Sequence, residues 1–348
     1  MVGKWLCYAF ICCLAITGSV SAQAQYGIVD LGRGQADGIN NYSQVVGLSY
    51  FSQTVYHAFL WQNGSMTDLG TLPGGYASRA KDINDSGQAA GWSHNSSGAM
   101  RASLWQNGTV TDLGTLGGLS SYATGINNTG IVVGESYTSS GSRHAFVWQN
   151  GTMTDLGTLP GMTYSVACGI NDNGQVVGYS SQGSVCHAFL WQNGIIKDLG
   201  ALPGDTNSYA YGINNFGQVV GQCFVNNGYS HAFLWQHDIM TNLGTPGELF
   251  GRQANGINNN GEIVGYSWAS GYNHAYLWTD TTTTDLGTLG FSSYASNIND
   301  NGWVIGYAYD GSVNHATIWQ PVPEPSSILA LLCGISGIGR VMWRRKSA

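Results

Sequence analysis

The sequence predicts an all-β protein assembled from repeated four-stranded units. A tryptophan-containing segment recurs at intervals of 41–44 residues. Its seven tryptophans are Trp61, Trp105, Trp148, Trp191, Trp235, Trp278 and Trp319. Gly accounts for 51 of 348 residues and charged residues for only 9%, a composition that suits short strands joined by tight turns. No amphipathic helical pattern separates the copies, so we expect β-structure throughout the repeats.

The segment from His57 to Gly70 predicts a β-hairpin. His57, Phe59 and Trp61 alternate with Ala58 and Leu60 along its first half, which is the period of a strand. Asn63-Gly64 follows, and this pair favours a type I′ turn because both turn positions need positive φ. With a two-residue loop, Asp68 falls opposite Phe59 and Gly70 opposite His57.

Each copy contains four strand-like segments. In the second copy they span residues 76–84, 87–93, 102–106 and 109–114. The first two are joined by Asn84-Asp85-Ser86-Gly87, a sequence typical of a type I turn closed by a left-handed residue. Four strands in about 40–45 residues is the size of a β-propeller blade. We therefore predict a seven-bladed β-propeller over residues 25–320.

The two ends of the repeat region predict how the ring closes. A lone fourth strand, residues 26–32, precedes the first complete copy, whereas the last copy lacks this strand. We expect Ile28–Leu31 to pair antiparallel with Ala316–Trp319, which would complete the last blade and remove an open sheet edge. An open β-solenoid is the alternative, but it would not explain the divided repeat.

Residues 1–24 predict a secretory signal peptide. Lys4 precedes an apolar stretch that ends in the small-residue sequence Ala22-Gln23-Ala24. A retained N-terminal membrane helix is the alternative, although the apolar stretch is short for a membrane span.

Residues 321–348 differ in composition from the repeats. Pro323-Glu324-Pro325 is followed by a short apolar segment and then by Arg344-Arg345-Lys346. This layout resembles the PEP-CTERM sorting signal of Gram-negative bacteria. The resemblance implies transient anchoring in the inner membrane, removal of the tail by an exosortase, and a place at the cell surface or in the extracellular matrix. A plain tail anchor is the alternative.

The repeats themselves resemble the HAF family of extracellular repeats. The triplet His-Ala-Phe begins at residues 57, 144, 187 and 231, and the second copy departs from it with Arg101-Ala102-Ser103. The resemblance covers nearly all of residues 26–320. It implies an extracellular repeat protein and brings no established chemistry.

Recurrent His and Asp residues predict structural pairs within the blades. Each His shares a strand face with the Asp of its own hairpin, and we expect buried hydrogen-bonded pairs and not a catalytic or metal site. The predicted pairs are His57–Asp68, His144–Asp155, His187–Asp198, His274–Asp285 and His315–Asp30. Arg101 is predicted to face Asp112, and His231 to face Asn242.

Charge and cysteine content exclude several classes of function. Between residues 25 and 320, eighteen acidic residues outnumber seven basic ones, which argues against nucleic acid as a partner. Cys168, Cys186 and Cys223 are an odd number, so a disulfide framework is not expected, and their pairing stays open. No CxxC pair or phosphate-binding loop is present, and we predict no cofactor.

The loops between second and third strands, and the crossings between blades, predict a ligand-binding face. These segments vary and carry aromatic residues on a rigid scaffold, which suits contacts with sugars or proteins. The candidate residues are Tyr122, Tyr209, Tyr294, Arg79, Arg252 and Trp268. We predict a structural or adhesive binding module for exopolysaccharide or a surface protein. The alternative is a surface carbohydrate-active enzyme, such as a polysaccharide lyase or hydrolase.

Overall fold

A computed structural model describes residues 25–50, 55–224, 230–244, 252–280 and 282–322. Residues 26–322 form one compact unit. The predicted signal peptide and the sorting tail, with Pro323, Glu324 and Pro325, lie outside the described residues. Within those residues the chain forms strands and turns only, and no helix there is long and apolar enough to cross a membrane.

The described chain contains 27 strands. The first eight are β1 (Gln25–Ile39), β2 (Val45–Tyr50), β3 (Tyr56–Gln62), β4 (Ser65–Gly70), β5 (Ser78–Ile83), β6 (Ala89–His94), β7 (Met100–Gln106) and β8 (Thr109–Asp112). The next eight are β9 (Gly117–Ile126), β10 (Val132–Thr138), β11 (Arg143–Gln149), β12 (Thr152–Asp155), β13 (Tyr164–Ile170), β14 (Val176–Gln182), β15 (Val185–Gln192) and β16 (Ile195–Gly200). The last eleven are β17 (Asn207–Ile213), β18 (Val219–Phe224), β19 (Ser230–Gln236), β20 (Ile239–Asn242), β21 (Arg252–Ile257), β22 (Ile263–Ala269), β23 (Tyr272–Trp278), β24 (Thr283–Asp285), β25 (Ser293–Ile298), β26 (Val304–Tyr309) and β27 (Asn314–Val322).

Consecutive strands form antiparallel meanders. Strands β5 to β24 make five four-stranded sheets, each containing four strands that follow one another in the chain. The remaining strands form a seven-stranded sheet in the order β25-β26-β27-β1-β2-β3-β4. Within the described residues no sheet closes into a barrel, and each sheet keeps its own outer edge.

The hairpin turns have the predicted geometry, with one difference in register. Asn63 and Gly64 have φ of 51° and 80°, as a type I′ turn requires. Asp68 lies opposite Phe59, but Gly70 lies opposite Ala58 and not opposite His57. The register shifts between these pairs because the strand carries a bulge, which adds one residue to β4.

The first two strands of each repeat pack closely. Gly134 of β10 illustrates the constraint, since a Cβ there would lie 1.9 Å from the Tyr122 carbonyl oxygen. Ala123, beside Tyr122, is fully buried. Small side chains therefore allow the first and second strands of a repeat to approach one another.

The core lies between neighbouring sheets. Phe146 of β11 is fully buried and packs with Ala123, Val132 and Leu104, so residues from two sheets share one cluster. Burying a Phe of this kind contributes about 1.5–3 kcal/mol. Phe59, Phe189 and Phe233 are buried in equivalent clusters.

Serine residues also connect adjacent sheets. The Ser78 hydroxyl accepts a hydrogen bond from the Ala58 N–H (2.9 Å) and donates to the Gly70 carbonyl (2.7 Å). The same arrangement recurs at Ser121, Ser165, Ser208 and Ser293. These bonds satisfy backbone groups that would otherwise lack a partner between the sheets.

The long strand β1 joins the two ends of the repeat region. Its residues 34–39 pair with β2, and the same strand is also a hydrogen-bonded neighbour of β27. Val29 and Leu31 pack against the cluster that contains Ile318, and His315 Nδ1 lies 2.9 Å from Asp30 Oδ2. The start of the repeat region thus contacts its end through strand pairing, apolar packing and a His–Asp side-chain contact.

Candidate functional site

An axial cavity of about 390 Å³ lies among the first strands of the repeats. Every repeat contributes to it the residue that follows its buried alanine. These residues are Asp37, Lys81, Thr124, Cys168, Tyr211, Asn255 and Ser296. The residue after the alanine is not subject to the close packing that keeps the alanine small. The side chain at this position therefore differs in each repeat, and it is polar or ionisable in all seven.

A charged cluster occupies one side of the axial cavity. The buried Asp37 carboxylate accepts hydrogen bonds from Arg79 Nε (2.7 Å) and Nη2 (2.6 Å) and from Lys81 Nζ (2.7 Å). Burial alone would raise the pKa of Asp37, but the two cations outweigh it and lower that pKa. Burial lowers the pKa of Lys81 despite the attraction of Asp37. The cluster therefore carries one carboxylate shared by two cations.

Asp82 adds a second carboxyl group to the cavity wall. Five other repeats have glycine at this position, and the last has Asn297. Asp82 accepts the N–H groups of Ile83 (2.9 Å) and Ile126 (3.0 Å). Burial raises its pKa to about 6, although both hydrogen bonds favour the ionised form. A carboxyl group with this pKa can exchange protons near neutral pH.

Cys168 and Tyr211 form a less reactive part of the cavity wall. Burial is the main cause that raises the pKa of the Cys168 thiol to about 12. Burial also raises the pKa of Tyr211. A thiol with so high a pKa is protonated and is a poor nucleophile. Cys168, Cys186 and Cys223 are all free thiols in the structure.

A polar funnel of about 150 Å³ lies at the NxxG-turn end of the axis. It shares Ile170, Ile213 and Ile257 with the axial cavity. The asparagine that begins each turn is buried and donates from Nδ2 to the backbone carbonyl of the next such asparagine. The donors, in order, are Asn40, Asn84, Asn127, Asn171, Asn214, Asn258 and Asn299, and Asn299 donates to the Asn40 carbonyl (3.0 Å).

The predicted His–Asp pairs are in contact but are not buried. Their Nδ1–Oδ2 distances are 2.7–2.9 Å in the pairs that contain His57, His144, His187, His274 and His315. In these pairs the His side chains are 20–29% exposed and the Asp side chains 40–45% exposed. The expectation of burial is therefore wrong, because the pairs lie near the outer strands. Each Asp also accepts a backbone N–H two residues on, as Asp155 does from Gly157 (2.7 Å).

His231 departs from the predicted pairing. Its Nδ1 lies 2.8 Å from Asp205 Oδ2, not beside Asn242. Asn242 instead accepts the Gly244 N–H (2.9 Å). Asp205 lies in the connection between β16 and β17, so the partner comes from the neighbouring crossing and replaces the missing hairpin aspartate. Arg101 faces Asp112 as predicted, at 3.0 Å.

The three predicted tyrosines lie on the first strands, one residue before the buried alanine. Tyr209 contacts Tyr179 with ring centroids 4.6 Å apart, and Tyr294 stacks on Tyr307 at 4.8 Å. Tyr122 is partly buried, and Glu135 and Tyr137 lie near enough to raise its pKa together with burial. These rings therefore pack against second strands and do not line the axial cavity.

The remaining candidates for the ligand face are not brought together. Arg79 is committed to Asp37 and also donates to Gln35 Oε1 (2.8 Å). Arg252 is only 9% exposed, whereas Trp268 is 40% exposed on the β22–β23 hairpin. Arg79 and Arg252 were predicted to lie on an open ligand-binding face, and neither is freely available there.

Sequence reasoning missed the axial cavity and its charged cluster. The available signal was the departure of single repeats from the common pattern, at Asp82 in the glycine position and at the variable position after each alanine. Among the described residues, no cluster of three His, Cys, Asp or Glu side chains could hold a metal ion.

Comparison with known proteins supports the sorting signal and the fold. A profile of the PEP-CTERM protein-sorting motif matches residues 321–346. This motif implies processing by an exosortase and an extracellular or cell-surface location in Gram-negative bacteria. No curated protein sequence matches the chain.

Several solved structures are similar to this chain at low sequence identity. An oligogalacturonate lyase in complex with manganese has a TM-score of 0.55 at 9% identity, covering 87% of this chain and 99% of that chain. The β-propeller domain of the Trilobed protease from Pyrococcus furiosus, with an open velcro topology, has a TM-score of 0.54 at 9% identity, covering 84% and 94%. A puromycin-hydrolyzing peptidase from Mycobacterium tuberculosis has a TM-score of 0.53 at 9% identity, covering 77% and 48%. With its meandering four-stranded sheets, the chain is a β-propeller, and identities this low show the fold alone.

Proposed function

We propose that this protein is a secreted binding module with a seven-bladed propeller, held at the cell surface or in the extracellular matrix. Its first 24 residues act as a signal peptide, and exosortase removes the tail from the Pro-Glu-Pro region onward. The repeats belong to the HAF type. The module binds exopolysaccharide or a surface protein and is not an enzyme.

The count of seven blades is supported by the asparagine hydrogen bonds at the turn end of the axis. Seven donors follow one another, and the last donates to the carbonyl of the first. The contact between β27 and β1 supports completion of the last blade by the N-terminal strand. When one blade contains strands from both ends of the chain, no open sheet edge remains at that point, which helps to hold a propeller closed.

The binding function rests chiefly on the axial cavity. Its volume of about 390 Å³ lies within the usual range of ligand sites, and polar side chains from all seven repeats surround it. A cavity of this size suits the end or a side branch of a polysaccharide chain. Different residues in each repeat would give such a site the asymmetry that specific recognition needs.

A surface carbohydrate-active enzyme is the second candidate. The observation that favours it is the position of Asp82 and Lys81 in the wall of the same cavity. Asp82 has a pKa of about 6, and burial lowers the pKa of Lys81, so both depart from their ordinary values in the direction that acid–base catalysis uses. A polysaccharide lyase or hydrolase could employ such a pair.

One experiment separates the two candidates. The mature protein is incubated with a panel of purified exopolysaccharides, which are scored both for retention on the protein and for chain shortening. Binding without shortening, weakened by Tyr211→Ala in the cavity and unchanged by Tyr42→Ala outside it, would support the binding module. Tyr42 is a suitable control because it is 70% exposed on the turn that begins with Asn40, where Ser43 replaces the glycine of the other repeats. Chain shortening that is lost in Asp82→Gly would support the enzyme.

A further inference from the structure

A second pocket, of about 210 Å³, lies where the first repeat meets the last. We call it the seam pocket. It is lined by Arg33, Gln35, Tyr50, Tyr309, Ser312, Val313 and Asn314. Its walls therefore come from the start and the end of the repeat region.

Arg33 distinguishes the seam pocket from the rest of the described surface. Its side chain is exposed, and its guanidinium lies 4.5 Å from the centroid of the Tyr50 ring. Five other basic residues are held by carboxylates, namely Arg79, Lys81, Arg101, Arg143 and Lys197. Among the described residues Arg33 has no acidic partner. A cation–π contact orients this guanidinium without neutralising its charge.

Hydrogen-bonding groups around Arg33 are also available to a ligand. Gln35 accepts from Arg79 through Oε1, which leaves its amide NH₂ to donate. Within the described residues, no hydrogen bond engages the Asn314 side-chain amide, whereas the Ser312 side chain is hydrogen-bonded to Asp310. Tyr309 donates its hydroxyl proton to the Gly311 carbonyl (2.9 Å), so its oxygen can still accept.

Asp310, on the loop beside the pocket, is committed elsewhere. Its Oδ1 accepts the N–H groups of Ser312 (2.7 Å) and Val313 (2.9 Å), and its Oδ2 lies 3.1 Å from His315 Nε2. These backbone hydrogen bonds are the main cause that lowers the pKa of Asp310. Its charge is therefore engaged with the loop and with His315, and Arg33 remains the cation available to an anion.

We propose that the seam pocket binds a carboxylate-bearing sugar unit, a hexuronate of an acidic polysaccharide. The planar guanidinium of Arg33 matches a carboxylate with two parallel hydrogen bonds. The Tyr50 ring offers an aromatic surface beside it, and Gln35 and Asn314 offer donors and acceptors for ring hydroxyls. The pocket is smaller than the 300–1,000 Å³ of drug-sized sites, so it suits a single sugar unit.

The surrounding charge favours selectivity for such a ligand. The repeat region is acidic overall, which opposes non-specific attraction of polyanions. An acidic polysaccharide is then retained only where a specific cation of the protein compensates for the repulsion between the two. The position equivalent to Arg33 is Ala77 in the second repeat and Ser120 in the third, so the site occurs once. This inference rests on the proposed polysaccharide binding and names the sugar class.

The test uses the mature protein with its complete repeat region. Two matched probes, trigalacturonic acid and the neutral galactotriose, are compared by isothermal titration calorimetry. We expect the acidic trisaccharide to bind at least 10-fold more tightly than the neutral one. Arg33→Gln should abolish this preference. Arg33→Lys should retain part of it, because lysine keeps the positive charge but lacks the paired N–H donors of the guanidinium. Arg101→Gln, at a basic residue already paired with Asp112, should leave binding unchanged.

Further arms separate the possible outcomes. Competition by monomeric galacturonate but not by acetate would show that the sugar ring contributes beyond its carboxylate, whereas equal competition by acetate would overturn the assignment to a sugar. Equal binding by Arg33→Gln and the wild type, with unchanged melting, would overturn the site. Retention of neutral polysaccharides without any binding of the acidic probe would refute this inference and leave the proposed function intact. Retention of no polysaccharide at all would refute the polysaccharide-binding function itself.

Discussion

The asparagine hydrogen bonds at the turn end of the axis allow a sharp test of ring closure. Asn299 is only 4% exposed; its Oδ1 accepts the N–H groups of Asn301 (3.1 Å) and Trp303 (2.9 Å), and its Nδ2 donates to the Asn40 carbonyl (3.0 Å). Asn171, in the middle of the chain, makes the equivalent bonds and donates to the Asn214 carbonyl (2.9 Å). Only the bond of Asn299 joins the last repeat to the first. Asn171 also donates to Gln175 Oε1 (2.7 Å), but this side chain is partly exposed and can bond to water when the asparagine is removed.

We expect Asn299→Ala and Asn171→Ala to destabilise the protein to a similar extent. Each substitution leaves a carbonyl without its side-chain donor and one partly buried N–H without its acceptor, at about 1–3 kcal/mol for each buried group. The exposed second N–H can bond to water, and the carbonyls of Asn40 and Asn214 each keep a backbone N–H donor, so the expected loss is about 2–4 kcal/mol of unfolding free energy. This corresponds to a fall in Tm of about 4–16 °C, since 1 kcal/mol shifts Tm by about 2–4 °C in domains of 150–250 residues.

An aspartate variant tests the hydrogen bond from Asn299 to the Asn40 carbonyl separately from the other bonds of Asn299. Asn299→Asp keeps the acceptor oxygen but places a carboxylate oxygen against the Asn40 carbonyl, so it should be destabilising at pH 7. Protonation at low pH restores a donor and should recover stability relative to the wild type. Thermal melts and urea titrations at both pH values are the assay. A loss for Asn299→Ala well below that for Asn171→Ala would refute closure through this contact, and wild-type melting for both would refute the hydrogen-bond argument itself.

Four further outcomes are expected. Deletion of residues 26–32 should remove most of the cooperative melting transition, because the last repeat loses its fourth strand and the contact between the first and last repeats loses its packing; a deletion variant that melts like the wild type would contradict this. His144→Ala should cost less than about 1 kcal/mol, since the exposed Asp155 partner keeps access to water, and His144→Arg should be tolerated; a larger loss by urea titration would show that the pair is stronger than its exposure implies. The folded-state pKa of Asp82 is raised to about 6, so the folded protein holds this proton more tightly than the unfolded chain does. The stability contributed by the protonated Asp82 should therefore be lost as pH rises from about 4 to 6. Thermal melts of Asp82→Gly across that range should lack this dependence. Intact-mass measurement of protein from the native host should find cleavage near Ala24 and no PEP-CTERM tail, and a retained tail would favour a plain anchor.

The sequence by itself determined the elements that depend on local physics. The type I′ turns follow from Asn-Gly pairs such as Asn63-Gly64, because few other residues tolerate positive φ at both positions. Strand alternation and the repeat interval determined the four-stranded unit. The contact of Asp30 with His315 was also predictable, since the divided repeat supplies the missing strand at the other end of the chain.

The candidate site was much less predictable. Sequence placed Arg79 on an accessible face, whereas in the structure it is paired with the buried Asp37, which lies 42 residues earlier in the chain. It also paired His231 with Asn242, whereas the partner is Asp205 from the neighbouring crossing. In both cases the partner lies outside the strand pair that periodicity describes.

Tertiary structure alone decided which polar groups meet between repeats. A repeat pattern assigns each residue to a strand face, but it does not specify which side chain of the adjacent sheet lies within hydrogen-bonding distance. The Asp37 cluster and the asparagine bonds around the axis depend on contacts between sheets, whereas the setting of the Arg33 guanidinium depends on the first and last repeats joining in one sheet. Such contacts are set by the packing angle of neighbouring sheets and by bulges within strands, which shift the register by one residue. Local periodicity therefore predicts the unit, and the packing of units determines its chemistry.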